Sequence, residues 1–202
     1  MVSPYGQSNT QLDATYEQLN AALGFKTSPV TGLWFNIYGG YQDLKNNLAS
    51  AAIANYSGSY LQLLQGNMHN IYAGAEASYS YKDIISFTAS GIYRDWKTAK
   101  TENNSGDQLL YYMPSFEANF KVDIRPISSV LINLGYQHIT REKIGNERVD
   151  PVGNLYLGGS YEVFEGISIY VRANNLLNKD YQYYPGYPTE GINFMGGVSF
   201  RF

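Results

Sequence analysis

The chain has 202 residues, a net charge of −3, only 15% charged residues, and 20 each of Tyr and Gly. The absence of cysteine excludes disulfides and thiolate metal sites, and the weak net charge with no Lys/Arg cluster excludes a nucleic-acid surface. No apolar run reaches the roughly 18 to 20 residues of a membrane helix, whereas a barrel strand needs only about 9 to 11, so the periodicity has to decide.

Residues 1–15, MVSPYGQSNTQLDAT, are a polar lead-in with neither the basic nor the apolar region of a signal peptide. For an exported protein that implies a mature or partial form. Tyr16 to Phe25 then alternates, with Leu19, Ala21, Leu23 and Phe25 on one face. Pro29 and Gly32 punctuate a turn, and Leu33 to Gln42 resumes the period of two, giving a hairpin. Asn46 to His69 is irregular and reads mainly as a long loop, with Leu48, Ala51, Ala52 and Ile53 suited to a short helix and Tyr60 to Leu64 to a strand extension. Asn70 to Tyr81 and Ile84 to Trp96 alternate on either side of a tight Lys82-Asp83 turn.

Lys97 to Asp107 is charged and aperiodic, a solvated loop. Leu109 to Val122 is the next strand, in which Pro114 marks a bulge or the end of pairing. A turn at Asp123 to Ser129 leads to a strand over Val130 to Thr140, followed by a charged loop over Arg141 to Pro151. Leu155 to Tyr161 and Ile167 to Asn174 form one more hairpin. Asn175 to Gly191 is a Tyr- and Pro-containing loop, and Ile192 to Phe202, INFMGGVSFRF, is the terminal strand.

These nine strands have short connections after every odd strand and long ones after every even strand. Short turns at one end and long loops at the other are the outer-membrane arrangement. The few strand charges, among them Glu76, Glu117, Lys121, Arg172 and Arg201, fall on the polar face, as the cost of a lipid-facing charge demands. The expected fold is all-β: a transmembrane antiparallel up-and-down β-barrel over residues 16–202, partial, with about 9 to 10 strands, short periplasmic turns and long extracellular loops. Bacterial barrels use even strand numbers, so nine means either a hidden strand near Tyr60 or a piece of a larger barrel.

The closing residues carry a resemblance. Val171 to Gln182, VRANNLLNKDYQ, the Pro185-Gly186-Tyr187-Pro188 loop, Gly191 and the Ser-Phe-Arg-Phe end resemble the C-terminal end of TonB-dependent outer-membrane receptors. The resemblance implies a 22-stranded barrel with an N-terminal plug, importing a scarce ligand (siderophore, haem, cobalamin or glycan) with energy relayed by TonB. This sequence departs from it in having no plug and no TonB-contacting segment, so it looks like barrel wall and extracellular loops. The implied partners are outer-membrane lipid, the barrel assembly machinery, a plug domain and TonB, in the bacterial outer membrane. The last strand also resembles the assembly signal at Gly197, Phe200 and Phe202, with Met195 where a polar residue is usual; an exposed strand with aromatic anchors can add to another sheet edge. The competing reading is that any last barrel strand ends in outward aromatics.

His69 and His138 lack spaced partner ligands, and no hydrolase, phosphate-loop or dinucleotide motif appears, so no catalytic residue, metal or cofactor is expected. Gly39-Gly40, Gly158-Gly159 and Gly196-Gly197 lie within strands, where they relieve crowding or mark bulges. Tyr41, Tyr79, Tyr81, Tyr93, Tyr136 and Tyr161 suit an interfacial aromatic girdle. Tyr181, Tyr183, Tyr184 and Tyr187 offer aromatic faces to a ligand, against a reading as rim packing that base rates favour. Tyr72, Glu76, Glu117, Asn133 and Arg172 would face the lumen. The expected function is part of a TonB-dependent receptor rather than an enzyme. The alternatives are a complete 8- to 10-stranded outer-membrane barrel with a structural, adhesive or pore role, and a soluble antiparallel β protein.

Overall fold

The computed structural model describes residues 12–55, 58–98, 109–110, 113–142, 150–184 and 187–201, and of residues 49–64 and 184 the backbone only. Most of the two charged loops read over Lys97 to Asp107 and Arg141 to Pro151, together with Pro185, Gly186 and Phe202, lie outside the described residues.

The described residues form eleven strands: β1 (Tyr16–Val30), β2 (Leu33–Asn55), β3 (Gly58–Tyr81), β4 (Ile85–Thr98), β5 (Pro114–Ile124), β6 (Val130–Arg141), β7 (Val152–Phe164), β8 (Ile167–Asn174), β9 (Gln182–Tyr184), β10 (Tyr187–Pro188) and β11 (Asn193–Phe200). Nine of them make one antiparallel sheet in the order β1-β2-β3-β4-β5-β6-β7-β8-β11, and β9 with β10 is a separate two-stranded hairpin. Each strand of this sheet pairs with the next of its strands along the chain, β8 with β11 across the β9–β10 hairpin, so this is an up-and-down meander with β1 and β11 as its two edges. The nine-strand sheet agrees with the sequence reading, as do the short connections after β1, β3, β5 and β7 and the longer ones after β4, β6 and β8; the long connection expected after the second strand does not.

One expectation is overturned. Asn46 to His69 is not a loop: β2 and β3 continue upward as a tall hairpin, paired from Leu33↔Tyr79 to Asn55↔Gly58. The register slips once, between Leu44↔Met68 and Asn47↔Gly66, where Asn46 adopts a left-handed φ of 54°. A bulge inserts one unpaired residue and turns the following side chains to the opposite face. The alternation therefore changes phase at Asn46 and resembles noise in the sequence. The bulge is held in place by side chains: Asn46 N–H donates to Asn67 Oδ1 at 3.1 Å, and Asn46 Nδ2 donates to Ala14 O at 3.2 Å.

The other departures are smaller. The strand read from Leu109 begins at Pro114, where the slip between Pro114 and Phe116 sits, so the proline stands where pairing ends. Leu109 lies in a helical turn instead, 4% exposed. Positive φ closes the short turns at Gly32 (83°) and Gly166 (80°), where glycine carries it without a Cβ penalty, and at Lys82 and Asp83 (47° and 57°).

A single sheet has no layer to pack against, and its two faces divide sharply. Leu23, Ile37, Ile71, Phe120, Leu134, Ile169, Phe194 and Phe200 lie exposed on one face. Asn36, Glu76, Arg94, Glu117, Lys121, Asn133 and Arg172 lie on the other. Leu23 is 87% and Phe194 79% exposed. Leaving such side chains in water forfeits about 1.5–3 kcal/mol each, so the apolar face requires a nonaqueous partner. Burial is concentrated instead at the long-loop end, in Met68, Trp96, Leu109, Val152 and Tyr181.

Candidate functional site

The polar face gathers its charges near the middle of β2 to β5. In-register pairing aligns Asn36, Glu76, Ser90 and Asn119 across four strands. One row above, Ile92 pairs with Glu117, and Arg94 on β4 donates to the Glu117 carboxylate as an ion pair. Tyr38, Glu76, Ser90, Arg94, Glu117 and Asn119 line a shallow depression of about 150 Å3. Two carboxylates against one guanidinium leave acceptor capacity on Glu76, which Asn36 Nδ2 meets only at 3.5 Å. Such a surface suits a body that brings hydrogen-bond donors or a cation. Sequence reasoning named Glu76 and Glu117. It did not link Glu117 to Arg94, since nothing local marks a partner 23 positions away.

Tyrosine and glycine are paired across this face. Tyr38 opposes Gly74, Tyr72 opposes Gly40, Tyr156 opposes Gly135 and Tyr170 opposes Gly197, each directly in register. In every case the phenol ring occupies the space that a Cβ on the glycine would need; at Gly40 that atom would fall 2.7 Å from Tyr72 Cζ. The glycines therefore relieve crowding, one of the two roles read for Gly39-Gly40 and Gly196-Gly197; at Gly158 the intruding group is the Asn133 carboxamide. Covering a strand glycine with an aromatic ring from the next strand restores the packing that the missing side chain removes. Tyr72 also donates to Asn20 Oδ1 at 3.2 Å, and the Arg172 guanidinium lies 4.3 Å from the centre of the Tyr156 ring.

The last long loop is tied down by Asn175. This residue is 1% exposed and has a φ of 51°. Its Nδ2 donates to Lys179 O and Glu190 O at 3.0 Å each, and its Oδ1 accepts from Lys179 N–H at 3.1 Å. Asn178, also left-handed with φ 49°, accepts from Ile192 N–H at 3.2 Å. The Asn-Asn-Leu-Leu-Asn-Lys run is thus a loop-closing device, in which two asparagines supply both the backbone geometry and the hydrogen bonds. Arg141, 7% exposed, anchors the β9 end by donating to Gln182 O at 2.7 Å.

The loop tyrosines differ in their surroundings. Tyr181 is 5% exposed, with Thr189 donating to its carbonyl at 2.9 Å and its ring edge-on to Tyr183 at 5.5 Å. Burial, then the neighbouring Tyr183, pushes the Tyr181 phenol up to about 12. Its face is not presented to anything outside. Tyr183 donates to Gln137 Oε1 at 2.8 Å, and Tyr187 alone of the described three stands fully open, at 74% exposure. The side chain of Tyr184 lies outside the described residues.

Tyr41, Tyr79, Tyr81, Tyr93, Tyr136 and Tyr161 all fall on the apolar face in two rows. Tyr79, Tyr81 and Tyr161 lie near the short turns. Tyr41, Tyr93 and Tyr136 lie toward the loop end, and Tyr41 pairs with Ile71, eight residues along β3 from Tyr79. Eight residues rise roughly 26 Å along a strand and about 20 Å along the axis of a barrel with ordinary tilt. His69 packs against Tyr41 and His138 stacks on Tyr136, with ring centres 5.8 and 6.3 Å apart. Gly197 and Phe200 lie on opposite faces of β11, Gly197 under Tyr170 and Phe200 exposed beside Ile167. Phe202 is outside the described residues.

No protein-family model matches the sequence, and no curated protein sequence matches it. Solved structures do match. The copper transporter OprC superposes with a TM-score of 0.73 at 17% identity, covering 95% of this chain and 32% of its own. The FrpB iron transporter from Neisseria meningitidis gives 0.68 at 15% identity, covering 95% and 32%. The ferric-catecholate import receptor Fiu from E. coli K12 gives 0.67 at 14% identity, covering 98% and 30%. The chain spans about a third of the length of these structures, and it has the fold of outer-membrane receptor barrels over that third.

Proposed function

We propose, from this shared fold, that the chain is the C-terminal barrel wall of a TonB-dependent outer-membrane receptor that imports a scarce ligand. The observation that carries the reading is the nine-strand up-and-down sheet with one continuous apolar face and two edges, β1 and β11, that no other strand pairs among the described residues. A finished barrel has no edges, whereas a third of one has two. The apolar face then meets lipid, with the two tyrosine rows at its interfaces. The polar face lines the lumen, and the Glu76, Arg94 and Glu117 cluster meets a plug domain. The receptor works in the bacterial outer membrane with TonB, and β11 is the segment read by the barrel assembly machinery through Gly197, Phe200 and Phe202. Its role is transport, not catalysis.

Among siderophore, haem, cobalamin and glycan cargoes, the copper, iron and ferric-catecholate names of the neighbouring structures favour a metal or a metal chelate. Tyr187 is the loop residue best placed to touch it.

The test is uptake by cells carrying the gene, using a panel of labelled ferric siderophores, haem, cobalamin and copper, with and without TonB. The expected result is TonB-dependent uptake of one cargo. Uptake of none, or uptake indifferent to TonB, overturns the reading.

A further inference from the structure

The connection from β8 to β11 is fastened to the polar face of the strands beside it. Asn154 on β7 accepts from Asn175 N–H through its Oδ1 at 2.9 Å. Gln137, which pairs in register with Asn154, accepts the Tyr183 hydroxyl at 2.8 Å. Arg141, four residues further along β6 and so on the same face, donates to Gln182 O at 2.7 Å and to Tyr183 O at 3.3 Å. The connection thus leaves β8, crosses β7 and is pinned on β6, two strands away from where it starts.

The pins are buried. Arg141 and Asn175 are both shut off from water, and a guanidinium is kept in such a place only where acceptors meet it. Thr189 N–H closes the connection on itself by donating to Tyr181 O at 3.0 Å. The β9–β10 hairpin is therefore fixed on the polar side of the wall at the long-loop end. Long loops face the outside in an outer-membrane barrel, so a cargo arriving from outside meets the hairpin before it reaches the polar wall below. Tyr187, on β10, is exposed there. A contact surface that is ordered beforehand loses little conformational freedom when a ligand arrives.

We infer that the β9–β10 hairpin is a fixed ledge in the mouth of the barrel, against which cargo binds, and that Arg141 is the residue that positions it. The inference rests on the transport reading and adds to it the part of the wall that holds the cargo and the side chain that sets its place.

Two measurements on the full protein in cells test it. The first needs no cargo: Tyr183→benzoylphenylalanine, activated by light, should crosslink to β6 within residues 130–141, and adding Arg141→Ala should cut that product severalfold. The second is uptake of the labelled ferric siderophores, haem, cobalamin and copper. Arg141→Ala should raise the half-saturating concentration about tenfold at an unchanged maximal rate per receptor, since two hydrogen bonds from a charged donor are lost. Arg141→Lys should restore part of the loss. Tyr183→Phe, which gives up only the bond to Gln137, should raise it about threefold and keeps the test open where Arg141→Ala does not insert. Crosslinks that avoid β6, or a yield indifferent to Arg141, overturn the ledge. Uptake unchanged in these variants, or lowered only in its maximal rate, overturns its role in binding. A wild type that takes up no member of the panel refutes the transport reading, and the crosslink then judges the ledge by itself.

Discussion

Tyr170 on β8 lies against Gly197 on β11, so closely that a Cβ at Gly197 would fall 2.6 Å from the phenol oxygen. The two residues pair in register and hold the last strand to the rest of the sheet on the polar face. Substituting Gly197→Ala should force the ring away and cost about 1–3 kcal/mol, the usual price of overpacking. Tyr170→Ala in the same background should return part of that loss. A double-mutant cycle from urea unfolding in lipid reads the coupling, and additive effects would mean that the ring and the glycine are independent.

Asn175 makes the next prediction. Asn175→Ala removes two donors from the carbonyls of Lys179 and Glu190 and one acceptor from Lys179 N–H. The expected cost is about 1–3 kcal/mol, because buried groups are left unpaired. Asn175→Gly keeps the left-handed backbone and loses the same bonds, so it should fall between wild type and alanine. Limited proteolysis within residues 176–191 reports the release. Equal resistance in all three proteins would show that the loop is held elsewhere.

Two groups at the loop end set a pH dependence. Burial, and then Asp95, hold the Glu142 carboxyl above its usual range. A raised carboxyl favours the folded state below the ordinary carboxylate range and loses that contribution as pH rises through its folded value. Glu142→Gln should therefore gain stability over wild type near neutral pH and match it in acid. Tyr181, pushed up to about 12 from an ordinary 10.0, acts the same way at the alkaline end. Its contribution is complete below pH 10 and disappears as pH approaches 12. Tyrosinate absorbance should show a late-ionising component that Tyr181→Phe removes.

The two faces should respond oppositely to charge. Leu134 lies on the apolar face and Asn133, its neighbour in sequence, on the polar face, since Leu134 pairs with Leu157 and Asn133 with Gly158. Leu134→Arg should cost about 2–4 kcal/mol in a bilayer, and Asn133→Arg far less. Unfolding in vesicles measures both. Similar costs for the two variants would contradict a lipid-facing band.

Much of this architecture is legible in the order of residues. A period of two assigns a face to each strand residue wherever pairing is regular, because alternate side chains leave a strand in opposite directions. Leu33 to Gln42, Asn70 to Tyr81 and Val130 to Thr140 are read correctly for that reason. The same logic fails at Asn46, where one left-handed residue reverses the phase, and at Leu109, whose side chain packs close to Gly66. Neither event leaves a mark in the local pattern.

The sequence alone therefore settles the strand rhythm, the short turns and the separation of apolar from polar faces, all of which depend on neighbours within a few residues. The tertiary structure decides what those faces hold. Arg94 finds Glu117, Tyr38 covers Gly74, and Asn175 closes a loop around a buried Tyr181. Each of these depends on the register between strands. A slip of a single residue would exchange the faces, and that register is set by the whole sheet, not by any one segment.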